Sequence, residues 1–103
     1  MGMSMGVTDT EKATMQRAWN HYGEQTQLVV CIEELSELTK ELTKRLRGDG
    51  SLYRISEEAA DVSIVLDEIL LMLDIEASVK SFRRNKLRRL EKRINNDILK
   101  NQR

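Results

Sequence analysis

The chain has 103 residues and a mass of 11.9 kDa, with 17 basic and 17 acidic side chains and no Pro, which leaves room for one small domain. A lone unit of this size buries only roughly 60–70% of the surface its unfolded chain exposes, so association with further copies is expected. The single Cys31 excludes an internal disulfide, and Asp67, Glu68 and Asp74 interrupt the most apolar region well short of the roughly 20 residues a membrane helix needs; no secretory leader is evident, and the expected compartment is the cytoplasm.

In chain order, residues 1–7 hold two Gly and no periodicity and are expected to form a disordered N-terminal segment, with the helical domain spanning 8–103. Thr8 and Glu11 have the spacing of a capping box, which opens a first helix running to about Tyr22, before Gly23. A second helix is predicted from about Glu24 to Arg47, stopped by Gly48-Asp49-Gly50. The third begins between Ser51 and Ser56, both competent caps, and reaches about Leu73. Asp74 is the expected cap of a fourth helix running from Ile75 to Asn96 or beyond. The reading is an all-α, small four-helix bundle completed by homo-oligomerisation.

Charge is unevenly spread. Thirteen acids face five bases between Glu24 and Glu76, whereas Lys80 to Arg93 carries eight bases and one acid. At about 100° per residue, Leu28, Cys31, Ile32, Leu38, Leu42 and Leu46 fall within about 60° of Leu35 and form the expected core stripe of the second helix. Glu34, Glu37 and Glu41 lie roughly 100° to 160° away on a second face beside Val30, which on that helix alone reads as a solvated acidic surface. The third helix is different. Within about 60° of Glu58 lie Ile55, Asp61, Val62, Val65, Ile69 and Met72, so two carboxylates share the apolar stripe. Inward acids one turn apart repel each other and are costly to desolvate, and they require a cation. That cation is either a basic side chain, Arg54 or one from the fourth helix, or a bound divalent ion. Hard Mg²⁺, with Mn²⁺ as its substitute, suits an all-oxygen donor set. The absence of His and Cys from these positions argues against zinc, and the lack of Glu-x-x-His argues against a di-iron bundle.

Glu33-Glu34-Leu35-Ser36-Glu37 followed by Glu58-Ala59-Ala60-Asp61 resembles the E-E-x-x-E…E-x-x-D signature of the MazG-like all-α nucleoside triphosphate pyrophosphohydrolases. The similarity covers roughly residues 15 to 93 and extends to Gln27 and to Asn85-Lys86-Leu87-Arg88-Arg89. It implies a helical fold assembled as a homodimer or homotetramer and a Mg²⁺-dependent reaction converting a (d)NTP to (d)NMP and pyrophosphate. Carried over position by position, it makes Glu34, Glu37, Glu58 and Asp61 the metal ligands and catalytic residues.

Such chemistry also needs groups that neutralise the phosphate chain. Lys86 and Arg83 interrupt the apolar line Val79, Leu87, Leu90, Ile94 of the fourth helix, and Asn85 and Arg89 share another face. Substrate contacts are therefore assigned to Asn85, Lys86 and Arg89, to Arg54 if the third helix starts at Ser51, and to Gln27 as a reader of a base edge. Trp19, Tyr22, Tyr53 and Phe82 are the only rings besides His21 and are expected in the core or an interface. Glu33, Glu41 and Glu57 are outer candidates for a general base, and Cys31 is expected to be an inert core residue. The competing reading is a non-catalytic helical module using the basic stretch 80–93 for nucleic acid or a protein partner; the neutral chain and its acidic half weigh against nucleic acid.

Overall fold

A computed structural model of the chain describes residues 6–102. The described residues form four helices and no strand: α1 (Asp9–Tyr22), α2 (Glu24–Leu46), α3 (Leu52–Met72) and α4 (Glu76–Asn101). Of the expected disordered segment, residues 1–5 lie outside the described residues.

The local signals act much as their chemistry requires. Thr8 accepts from the Glu11 amide while the Glu11 carboxylate accepts from the Thr8 amide at 2.7 Å, so the capping box is complete. Gly23 serves as both the end of α1 and the start of α2. Ser51, not Ser56, caps α3, accepting from the Arg54 amide at 3.3 Å. Asp74 does not cap α4. Its φ of 55° places it in the left-handed region, which Asp tolerates better than most residues, and Ile75 occupies the cap position without a side-chain hydrogen bond.

The chain divides into two compact units, one ending at Leu73 and the other starting at Asp74. In the first, α2 and α3 pair along their length across the tight turn at 47–51, and α1 packs against both. Met15, Cys31 and Ile69 are the buried apolar residues of its core. The second unit is α4, none of whose residues is buried.

The α2–α3 contact uses a different face of α2 from the one hydrophobicity indicates. Ile32, Leu35, Leu42 and Leu46 of the expected core stripe are exposed, Leu46 at 89%, and only Cys31 of that stripe is buried, with Leu28 and Leu38 half-buried. The inward face instead runs through Gln27, Cys31, Glu34, Leu38 and Glu41, rotated by about 80° from Leu35 at 100° per residue. On α3 the stripe lies where the periodicity puts it: Ile69 is buried and Ile55, Glu58, Val62, Val65 and Met72 are half-buried, while Asp61 sits exposed at its edge. Tyr22, Tyr53 and Phe82, expected in the core or an interface, are exposed and so outside the core of the chain, and Trp19 is half-buried.

Candidate metal centre

Two contacts fix the register of the α2–α3 hairpin. Gln27 Nε2 donates to Glu68 Oε2 at 2.6 Å, both residues being buried. Two turns further along, Glu34 of α2 meets Asp61 of α3. Each step is seven residues on either helix, the spacing that returns a side chain to the same face of a packed pair. At the next seven-residue step Glu41 of α2 is buried while Arg54 of α3 is exposed.

The middle rung is the acidic cluster. Glu34, Glu58 and Asp61 each offer a carboxylate oxygen, all within 4.8 Å of one another. Glu34 and Glu58 are half-buried, Asp61 is exposed, and Glu37 is exposed one turn along α2. Desolvation raises the Glu34 carboxyl above its ordinary 4.5, helped by the charges of Asp61 and Glu58, a hydrogen bond to Asp61, and Glu37. Glu58 is raised in the same way, by desolvation first and then by Asp61, Glu37, Glu57 and Glu41. Among the described residues no basic side chain comes within 4.0 Å of these three carboxylates, so the ion-pair alternative raised by the sequence is not realised there. No family model, curated protein or solved structure matches the chain. What the cluster can do follows from its donors.

Those donors fit a hard divalent cation. The set is all oxygen, and desolvation with neighbouring acids raises the carboxyls of Glu34 and Glu58 above their ordinary 4.5. Among the like charges of Glu34, Glu58 and Asp61, which no described base approaches within 4.0 Å, a dication is the natural complement.

The other predicted residues are dispersed. Gln27 is not an exposed amide. It is buried and bound to Glu68, in the same hairpin but two turns from Glu34. Arg54 is exposed in the first turn of α3, four residues before Glu58, as the Ser51 cap requires. Asn85, Lys86 and Arg89 line one shallow concavity on α4 together with Phe82, Arg88 and Lys92. Glu33 and Glu57 are exposed. His21 packs edge-on against Tyr22, ring centroids 4.7 Å apart. Sequence reasoning missed the burial of Glu41 and Glu68. A signal existed: Gln27, Glu34 and Glu41 on α2, like Arg54, Asp61 and Glu68 on α3, recur every seven residues.

Proposed function

We propose that the protein is a Mg²⁺-dependent nucleotide pyrophosphohydrolase, converting a (d)NTP to (d)NMP and pyrophosphate. The observation that carries this reading is the convergence of Glu34, Glu58 and Asp61 from facing helices onto one small volume free of basic partners. It coincides with the residues that resemble the E-E-x-x-E…E-x-x-D signature. In this reading Glu34, Glu37, Glu58 and Asp61 hold the ion. Bound Mg²⁺ supplies positive charge to the phosphate chain and acidifies the attacking water.

The chain's own groups then position and neutralise. Water attacks the α-phosphorus, the bond to the oxygen bridging the α and β phosphates breaks, and pyrophosphate leaves. The Glu34–Asp61 contact and the α2–α3 register fix the carboxylates before substrate arrives. Arg54, exposed on α3 four residues before Glu58, is the basic group of this unit offered to phosphate oxygens; Asn85, Lys86 and Arg89 remain candidates by the resemblance, and on α4 they line a concavity of their own. Gln27 acts at a distance, holding Glu68 in the hairpin instead of reading a base. A cytoplasmic homodimer or homotetramer joined through the exposed leucine face of α2 completes the proposal.

Purified protein is incubated with each nucleoside triphosphate and Mg²⁺, and pyrophosphate is assayed. Release from at least one nucleotide is expected, with Glu58→Gln and Asp61→Asn each lowering it on the order of 10²-fold or more. Release from none rejects the reading. A second reading is favoured by one observation: all eight bases of the stretch 80–93 are exposed. They suit an acidic partner or a polyanion. Retention of a labelled duplex at physiological salt, lost in a variant with Arg83, Arg84 and Arg88 replaced, would support it.

A further inference from the structure

The helix α4 is a unit by itself, and besides its bases it exposes apolar side chains that neither reading above uses. At 100° per residue, Leu87, Leu90, Ile94 and Ile98 fall within an arc of about 80°, and no other residue between 84 and 98 shares that arc. The four are 39–57% exposed, so the helix carries a continuous apolar line in contact with water. Over the same segment six bases, Arg84, Lys86, Arg88, Arg89, Lys92 and Arg93, stand exposed against two acids, Glu91 and Asp97. By the same rotation Lys86 and Arg93 flank the arc on one side, beyond Asp97, and Arg84 flanks it on the other, beyond Glu91.

Whatever covers this helix must take up apolar side chains and cations together. A nucleic acid engages the bases and leaves the leucines and isoleucines in water. A second copy paired through the same line would bring two sets of six bases together, and like charges repel. An anionic bilayer surface satisfies both halves. Apolar side chains enter the boundary between headgroups and acyl chains, while the Lys and Arg stems run outward to the lipid phosphates. No helix among the described residues is long and apolar enough to cross a membrane, so the geometry is that of a helix lying in the surface plane.

We propose that α4 docks the protein on anionic lipid, with Leu87, Leu90, Ile94 and Ile98 immersed and Arg84 and Arg93 at the rim. The proposal does not depend on the metal reading; it rests on the exposed bases that favour the second reading and names their partner.

The full chain is floated with vesicles of phosphatidylcholine alone or of an equimolar mixture of phosphatidylcholine and phosphatidylglycerol. Uptake by the mixed vesicles at physiological salt is expected to be at least about 10-fold stronger than by phosphatidylcholine, and to weaken at about 1 M salt. Arg84→Gln with Arg93→Gln is expected to lower affinity for the mixed vesicles roughly 10- to 30-fold. Leu90→Gln with Ile94→Gln, which leaves every charge in place, is expected to lower it about 10-fold or more. Circular dichroism checks that each variant keeps its helix content; should the apolar pair lose it, the arginine pair decides. No uptake by the wild type, equal uptake by the two kinds of vesicle, or unchanged uptake in either folded variant overturns the proposal. Retention of a labelled duplex without vesicle uptake returns the bases to nucleic acid and overturns the lipid partner alone, whereas retention of neither removes the second reading as well.

Discussion

Glu34 and Glu58 bind their protons more tightly in the folded chain than glutamate ordinarily does at 4.5, because partial desolvation and neighbouring acids disfavour the charged form. A raised folded pKa means the native state takes up protons first as pH falls, so the contribution to stability is complete below about 4.5 and is lost as pH rises through the raised values. Metal-free protein is therefore expected to melt higher as pH is lowered from neutrality toward 4.5, with the trend flattened in Glu58→Gln; thermal melts in chelator at several pH values check this. Saturating Mg²⁺ is expected to remove the trend at neutral pH by supplying the missing charge. Glu11 acts in the opposite sense, its carboxyl being lowered by the Thr8 amide and hydroxyl, so its contribution holds above 4.5 and is lost below. The acids of the cluster were legible in the sequence because two of them, Glu58 and Asp61, share a face with apolar residues, an arrangement that needs a reason. Glu41 and Glu68 were not, because each reads as an ordinary helical acid until the partner helix is in place.

At the scale of elements, α1, α2 and α3 were readable from caps and breakers, and their ends fall within a residue or two of the expected ones, whereas α4 starts without the Asp74 cap and runs on to Asn101. What local signals do not encode is which face of α2 meets α3. The leucine stripe is the more hydrophobic, yet the contact runs through Gln27, Cys31, Glu34, Leu38 and Glu41. The turn sets this alignment. Gly48 takes a φ of 88°, and a Cβ on Gly50 would come within 2.5 Å of the Arg45 Cα, so the chain can reverse this tightly only with a bare backbone there. Backbone cannot yield as a flexible side chain does. Gly50→Ala is accordingly expected to cost about 1–3 kcal/mol in urea unfolding and to weaken Mn²⁺ binding by shifting Glu34 of α2 against Glu58 and Asp61 of α3. Unchanged unfolding and binding would show that the turn relaxes without disturbing the hairpin.

For the whole molecule, apolar surface is in the wrong place for a solitary chain. Ile32, Leu35, Leu42 and Leu46 form an exposed line on α2, and α4 exposes Phe82, Leu87, Leu90, Ile94, Ile98 and Leu99. Contiguous apolar faces on small proteins mark surfaces that another molecule covers. Sedimentation is expected to return a multiple of 11.9 kDa, and Leu35→Glu with Leu42→Glu to shift the mass to that of one chain while lowering the melting temperature. A wild type that sediments as a single chain at all concentrations would remove oligomerisation from the proposal. Periodicity found this leucine line readily; it could not tell a face turned toward the chain's own core from one turned toward a neighbour, because both are hydrophobic for the same reason.

The ladder of Gln27 with Glu68 and Glu34 with Asp61 also restricts how the hairpin can be lengthened. One residue spliced into either arm turns everything beyond it by about 100°, which would unseat both rungs together, whereas a block of seven brings the faces back nearly into phase. Length in these arms is in effect quantised, and variation that preserves the chemistry must come in heptads or be confined to the outer ends.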